Sequence, residues 1–205
     1  MKRKNAVTTT QSVFLNIPYD QRFKKLYLAY IAGLVHMGFV PRVTLGLSGG
    51  TRRLEKILAE IQGCEFSIHD LSRVGLDRGK PFVTPRFNMP FELGLAVAWE
   101  KTNPKRHKWF VFEEKAYRVQ KSLSDLNGTD PHIHDGKVEG VLRELCNAFT
   151  RGKGQPTVPD MMKTFRAISR RAPSIIGDTG ARDLFEARVF QELCWEAKIA
   201  SGPID

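Results

Sequence analysis

The chain has 205 residues, 41% of them hydrophobic and 26% charged, which is the composition of a folded globular protein with one substantial core. No apolar run approaches the ~20 residues that cross a bilayer, and three distant cysteines without a paired-cysteine motif argue against a disulfide framework or a zinc site. The formal net charge of +10 favours anionic partners such as nucleotides, phosphates or nucleic acid, although Lys and Arg are dispersed as on a solvated surface.

The N-terminus is basic but lacks the pattern of a secretory signal. Met1–Asn5 is followed by polar Thr8–Gln11, whereas a signal peptide has an apolar stretch there. Together with the unpaired cysteines, this predicts a reduced, cytoplasmic protein without a membrane partner.

Strands and helices then alternate along the chain. The run 13–17 is short, apolar and β-prone and ends at Pro18, which is typical of a strand buried on both faces. Apolar residues at three- and four-residue spacing predict a helix over 20–37, and 39–44 predicts an edge strand because Pro41 cannot donate to a ladder. The next predicted elements are a helix ending at Gly63, a strand at 64–71, a connection rich in Arg, Gly and Pro at 72–87, a helix at 89–101 and a strand at 109–112.

This alternation predicts the fold class. We expect an α/β, flavodoxin-like (Rossmann-like) parallel sheet with helices on both faces and right-handed crossovers. Past residue 114 the pattern weakens, and we predict a short fifth strand at 117–119, a loop at 173–180, and helices at 138–149, 159–168 and 182–200. The chain is therefore divided into an α/β domain at 12–150 and a helical C-terminal extension at 151–205 that packs on it or next to it.

Open parallel sheets bind ligands outside the carboxyl ends of their strands, where the strand order reverses. Three segments occupy such positions here: 16–20 after the first strand, 70–73 after the third, and 86–92 at the start of a helix. The candidate site is therefore sought where these three segments meet.

Glu92 is the most informative residue among them. Asn88 is a good N-cap and Pro90 suits a first helical turn, so Glu92 lies in or just beyond that turn, where the helix dipole favours an ionised carboxylate. The small residues Gly94 and Ala96 would let the helix approach the sheet or a ligand closely. Two interpretations fit: a carboxylate that merely complements the dipole, or a nucleophile or electrostatic stabiliser of a cationic transition state.

A strand ending in Asp70, a loop, and a helix that begins Phe-Glu-Leu-Gly-Leu-Ala at 91–96 resemble the nucleoside 2-deoxyribosyltransferase-like group and the related TIR-like nucleotide-processing domains of bacterial defence systems. The resemblance follows the order of elements over 13–130 and is close at only a few residues. It implies that Glu92 attacks the anomeric carbon of the sugar and that Asp70 contacts the base. Asp70 could also share the proton of the base, so both carboxyls are predicted catalytic residues, although Asp70 could instead cap a turn. Leu95 replaces a tyrosine common in the helix motif, and 16–20 replaces the small residues usual after the first strand.

The resemblance implies cleavage or exchange of an N-glycosidic bond, in a defence effector that depletes a nucleotide or produces a signal. Asn16 and Tyr19 could hydrogen-bond the sugar or the base, and the predicted substrate-binding residues also include Asn88 and, from a polar loop at 124–130, Asp125. The connection at 72–87 is more basic than a free nucleoside requires, which indicates a phosphorylated or dinucleotide substrate such as NAD. Its basic residues are Arg73, Arg78, Lys80 and Arg86.

Several alternatives remain open at this point. The pocket could sense a nucleotide without turnover, or the charge of +10 could serve a nucleic-acid partner, which predicts steeply salt-dependent binding. The loop 46–53 could cradle phosphate at a helix N-terminus, but it is not a Walker motif, so a plain connector is the simpler interpretation. His132 and His134 suggest a metal site only if further ligands lie nearby, and none is predicted. We expect no cofactor, with NAD possible only as a substrate. The sequence leaves the oligomeric state open, although TIR-like enzymes often need assembly to complete a site.

Overall fold

The computed structural model describes residues 10–45, 53–74, 76–77, 84–150 and 154–202. Five strands form one all-parallel sheet; they are β1 (Ser12–Asn16), β2 (Val40–Arg42), β3 (Phe66–Asp70), β6 (Lys108–Glu113) and β7 (His132–Ile133). Two short strands, β4 (Leu76–Asp77) and β5 (Thr84–Pro85), pair antiparallel outside this sheet. The helices are α1 (Lys24–His36), α2 (Arg53–Gly63), α3 (Asn88–Thr102), α4 (Arg118–Ser122), α5 (Val138–Ala148), α6 (Val158–Thr179) and α7 (Ala187–Ser201).

The strand order of the large sheet is β2-β1-β3-β6-β7, which is the flavodoxin-like order and confirms the predicted fold class. β2 lies at one edge, as the proline at position 41 predicted. The chain leaves β1 toward β2 on one side and later returns to β3 on the other side. The order therefore reverses between β1 and β3, and the carboxyl ends of these two strands mark the switch point.

Alternating side chains of the strands build two apolar layers. Val13 and Leu15 of β1 face the layer formed with α1, α5, α6 and α7, whereas Phe14 between them packs with Ile57 of α2 and Ala96 of α3. Residues 26–35 of α1 are all buried because the sheet covers one side of this helix and the C-terminal helices cover the other. This accounts for its apolar residues recurring around the whole helix.

The C-terminal helices complete the core on the α1 face. α6 packs against both α1 and α7, and buried side chains of all three belong to one continuous cluster. The helices before residue 150 and those after it therefore pack into one continuous core. Among the helices of the described residues, none is long and apolar enough to cross a membrane.

Two sequence-based expectations were wrong in this half of the chain. Residues 118–119 belong to α4 rather than to a fifth strand, and the fifth strand is instead β7. α6 continues through Pro173 to Thr179, where a loop had been predicted. Pro173 is exposed while its neighbours Ala172 and Ile175 are buried, so packing of the inner face outweighs the backbone hydrogen bond that proline removes.

Candidate active site

Glu92 lies on the face of the sheet that α2 and α3 cover. It is the fifth residue of α3, and only 5% of it is exposed. Burial raises the pKa of its carboxyl to about 7, and the positive charge of Arg53 at the start of α2 acts in the opposite direction. Burial therefore outweighs the helix dipole, on which the expectation of an ionised carboxylate depended. Near neutral pH both the acid and the carboxylate are populated.

The start of α3 differs from its predicted form at two points. Asn88 is the first helical residue and is exposed, and the capping position is held by Phe87 without a side-chain hydrogen bond. Gly94 is exposed and a Cβ there would meet open space, so this glycine does not permit a close approach; Ala96, in contrast, is fully buried against the sheet. Pro90 does lie in the first turn, as predicted.

Tyr19 and Arg53 form one electrostatic group with Glu92. Burial raises the pKa of the Tyr19 hydroxyl above its ordinary range, and the charges of Arg53 and Glu92 both act on it. The hydroxyl donates to the backbone oxygen of Leu15 at 3.2 Å, and the ring packs against the ring of Tyr27. Tyr19 is therefore held as a neutral phenol whose acidity responds to the charge of Glu92. The sequence analysis identified Tyr19 but not Arg53, whose only signal was its place at the start of a helix after a glycine-rich loop.

Asn16, at the carboxyl end of β1, is oriented by a buried chain of hydrogen bonds. Its Nδ2 lies 2.9 Å from Nδ1 of His69, the residue beside it in register on β3. His69 Nε2 lies 3.0 Å from Ser67 Oγ, which in turn lies 2.9 Å from Nε2 of His107. His107 Nδ1 lies 2.8 Å from the carbonyl oxygen of Cys64.

The proton positions in this chain follow from its last member. A carbonyl only accepts, so His107 Nδ1 donates to Cys64 and its Nε2 accepts from the Ser67 hydroxyl. Ser67 then accepts from His69 Nε2, which leaves His69 Nδ1 to accept from the Asn16 amide. Because no described residue donates to Asn16 Oδ1, this oxygen is fixed in orientation and free to accept a further hydrogen bond at the switch point.

Asp70, the second predicted catalytic residue, lies on the opposite face of the sheet. It is fully buried, and its Oδ2 accepts from the Tyr30 hydroxyl of α1 at 2.7 Å and lies 3.2 Å from His134 Nε2. Its Oδ1 accepts from the Ser72 backbone at 2.9 Å. Asp70 is not among the charges that act on the pKa of Glu92. The two predicted catalytic carboxyls are thus not brought together, and Asp70 is surrounded by protein donors.

Arg73 and Arg86 meet at a third acidic residue. Arg73 Nε lies 3.2 Å from Asp20 Oδ2, and Arg86 Nη1 lies 3.5 Å from the same oxygen. Asp20 Oδ1 also accepts from the backbone N–H groups of Arg22 and Phe23 just before α1. The structure therefore joins all three predicted segments at the carboxyl edge of the sheet, and part of their positive charge is balanced within the protein.

The remaining predicted residues lie apart from Glu92. Asp125 is exposed in a short 3-10 helix, Ser124–Leu126. His132 pairs with Glu144 at 3.3 Å, while His134 serves Asp70, so the two imidazoles are directed to different partners. In the part of the chain that the structure describes, no group of three or more His, Cys, Asp and Glu could hold a metal ion. The loop at 46–52 and the basic residues Arg78 and Lys80 lie outside the described residues.

The site thus offers a buried carboxyl that titrates near neutrality, a neutral phenol, a guanidinium and an oriented amide oxygen, all at the switch point of a parallel sheet. Such a set can attack or stabilise an electron-poor carbon and can hold a polar ligand in one orientation. No protein-family model and no curated protein matches the chain.

Proposed function

We propose that the protein cleaves or exchanges the N-glycosidic bond of a nucleoside or nucleotide, with Glu92 as the nucleophile. The observation that carries this proposal is the buried Glu92 carboxyl near the β1/β3 switch point, where the charge of Arg53 acts on it and its own charge acts on Tyr19. The resemblance of the helix start at 91–96 to nucleoside 2-deoxyribosyltransferase-like and TIR-like domains supports the same role.

The first step transfers the sugar from the base to Glu92. The ionised carboxylate attacks the anomeric carbon, the C–N bond breaks, and its electron pair leaves with the base nitrogen. A purine or pyrimidine then takes up one proton, whereas the pyridinium nitrogen of NAD leaves as neutral nicotinamide and needs none. In the second step water or another base attacks the same carbon through an oxygen or nitrogen atom, the C–O bond to Glu92 breaks, and the Glu92 carboxylate is released; when water attacks, it gives up one proton to the solvent.

The neighbouring side chains have distinct roles in this scheme. Arg53 favours the ionised form of Glu92 that attacks, because its positive charge lowers the carboxyl pKa. The neutral Tyr19 hydroxyl and the free Oδ1 of Asn16 provide hydrogen bonds for the sugar or the base. Two phenylalanines near Glu92, Phe87 and Phe91, are 69% and 57% exposed, and they can cover the planar base.

The substrate class and the role of Glu92 are tested together by base release. Purified protein is incubated with NAD, NADP, nucleotides and deoxynucleosides, and the free base is measured by chromatography. Glu92→Gln keeps the shape of the side chain without its charge, and Glu55→Gln, an exposed carboxyl on α2, is the matched control. We expect wild type and Glu55→Gln to release base from at least one substrate, and Glu92→Gln to lose at least 100-fold in rate.

Two results would contradict the proposal. Equal rates for wild type and Glu92→Gln would exclude Glu92 as the nucleophile. No release by wild type, at protein concentrations that allow self-association, would exclude glycosidic chemistry on this panel. Ligand-induced thermal shifts on the same compounds would then show whether the pocket senses a nucleotide without turnover. A labelled second base in the reaction separates exchange from hydrolysis.

A further inference from the structure

A second cleft opens on the other face of the sheet from Glu92. Its volume is about 1120 Å³, and it lies among the start of α1, the segments that follow β3, β6 and β7, and the side of α6. α1 and α6 belong to the core layer opposite the one that contains Ala96 of α3. None of Glu92, Tyr19, Asn16 and Arg53 lines this cleft, so it is distinct from the candidate active site.

The lining of the cleft is strongly basic. The start of α1 contributes Arg22, Lys24 and Lys25, and α6 contributes Arg166 and Arg170 on successive turns. Most of these side chains are exposed at the mouth of the cleft.

Few acidic groups balance this charge. Lys137 and Arg73 add to the lining on the side of the strand ends, while the acidic members among the described residues of the lining are Glu114 and Glu139. Arg73 pairs with Asp20, but among the described residues none of the other basic side chains of the lining has an acidic partner within 4.0 Å. Cations held around one concave surface repel each other and focus a positive potential into it, which a bound anion relieves.

Backbone groups add to this attraction. α5 begins at Val138, beside the cleft, and its capping residue Lys137 has no side-chain hydrogen bond to the first turn. The first N–H groups of a helix lack partners within the helix and carry the positive end of its dipole. At the start of α5 the positive charges of the surrounding Lys and Arg side chains add to this dipole. The cleft therefore presents both charged side chains and N–H donors to an anion.

The rest of the lining is apolar and partly aromatic. Phe23 and Leu26 are buried beneath the mouth, and Phe165 and Met162 of α6 are half-buried. The Ser169 hydroxyl, also in the lining, is buried and finds no hydrogen-bond partner among the residues that the structure describes. The volume also exceeds that of most small-molecule pockets, which hold about 300–1,000 Å³. These features suit a ligand larger than one metabolite that combines several phosphates with flat, apolar groups.

We propose that this cleft binds the phosphates of a nucleotide ligand, carried either by a nucleoside polyphosphate or by a short single-stranded oligonucleotide. The phosphates lie against the side chains of the α1 start and α6 and near the first turn of α5, while the bases lie against Phe165 and Met162. This site goes beyond the proposed glycosidic chemistry, because Glu92, Arg53, Tyr19 and Asn16 lie outside the lining, although Arg73, a predicted substrate-binding residue, borders it.

Charge reversal of one wall tests the proposal. Anisotropy of a labelled 12-nucleotide single strand is measured with the full chain, and ATP and inorganic triphosphate are tested as competitors. The variant R166E/R170E is compared with K105E/R106E, which changes the net charge equally. The control residues are exposed and precede β6, at the opposite, amino edge of the parallel sheet. A second variant, R22E/K25E, reverses the other wall through exposed side chains.

We expect both cleft variants to weaken binding at least tenfold and the control to change it less than twofold. The slope of log K against log salt should fall by about 1.4 for two lost phosphate contacts. Competition by ATP would identify a nucleoside polyphosphate, and binding of the strand without competition would identify the oligonucleotide. Equal weakening by cleft and control variants, or no binding of any probe, would overturn the proposal.

Base release is measured in parallel with binding. R166E/R170E should retain base release and Glu92→Gln should retain binding, so failure at one site is distinguishable from failure at the other.

Discussion

Asn16 and His69 are hydrogen-bonded side by side where the strand order reverses, with Asn16 Nδ2 2.9 Å from His69 Nδ1. The bond ties the amide that ends β1 to a ring that is fully buried in β3. Burial lowers the pKa of His69 to about 3, and the neighbouring His107 acts in the same direction. The ring therefore stays neutral near physiological pH, and it keeps the Asn16 oxygen directed away from the chain of hydrogen bonds.

The first prediction concerns stability in acid. His69 binds a proton with a pKa of about 3 when folded and 6.5 when unfolded. The neutral ring therefore costs the folded state nothing above pH 6.5, and the free energy of unfolding decreases as the pH falls from 6.5 toward 3. In His69→Gln, which keeps polar groups but does not titrate, this decrease disappears. Urea unfolding at pH 7.5 and pH 4.5 should show a decrease in the free energy of unfolding that is about 2 kcal/mol larger in wild type than in the variant. Equal decreases would mean that His69 is accessible to protons in the folded state.

Glu92 should produce the opposite pH dependence. Its pKa is raised from 4.5 to about 7 on folding, so the folded state carries no penalty below pH 4.5 and is increasingly destabilised as the pH rises through 7. Glu92→Gln removes that penalty. We expect the variant to be more stable than wild type at pH 8, by about 2 kcal/mol after allowing for the part of the carboxyl that water still reaches, and no more stable at pH 4.5. Glu55→Gln, exposed on α2, should follow wild type at both pH values; a pH-independent effect of Glu92→Gln would contradict the prediction.

A third prediction concerns the ion pair between Arg118 and Glu113. Glu113 is fully buried at the end of β6, and Arg118 Nε donates to its Oε2 at 2.9 Å while Nη2 donates to the Ser72 carbonyl at 2.8 Å. Arg118→Met would leave a buried carboxylate without its cation, which costs about 3–5 kcal/mol. Lys121→Met, on the exposed side of the same helix, is the control and should change stability by less than about 0.5 kcal/mol. The midpoints of thermal or urea unfolding of the two variants test this prediction, and similar midpoints would show that the ion pair contributes little to stability.

Much of the fold could be predicted because local patterns and global packing agree. The strand at 13–17, the edge position that Pro41 implied and the helix before Gly38 follow from apolar spacing and from residues that end regular structure. The sequence-based predictions were wrong where tertiary contacts outweigh local secondary-structure preference. Residues 117–119 have strand-like side chains but belong to a helix start whose Arg118 binds Glu113, and Pro173 stays helical because its neighbours are buried.

The candidate site was only partly predictable. Tyr19 could be identified because it follows a strand end, and Glu92 because of the helix start at 91–96 and its resemblance, yet the pKa of Glu92 depends on burial that no local pattern reports. Asp70 is the last residue of β3, but its hydroxyl donor Tyr30 lies 40 residues away in sequence. Successive side chains of β3 point to opposite faces of the sheet, so His69 faces the α3 layer and the next residue, Asp70, faces α1.

The last prediction tests the pairing of Arg53 with Glu92 through the pH dependence of base release. If the ionised Glu92 carboxylate is the nucleophile, kcat/KM should rise with pH and level off above an apparent pKa of about 7. Arg53 lowers that pKa by its charge, so Arg53→Met should move the rising limb to higher pH and reduce kcat/KM at pH 6.5 several-fold, with little loss at pH 9. Lys56→Met, in the next turn of α2, matches the loss of one cation without being among the charges that act on Glu92. A shift of the same size in both variants would mean that net charge, rather than Arg53, sets the acidity of Glu92; a rate loss in Arg53→Met that is equal at all pH values would instead indicate that Arg53 contacts the substrate.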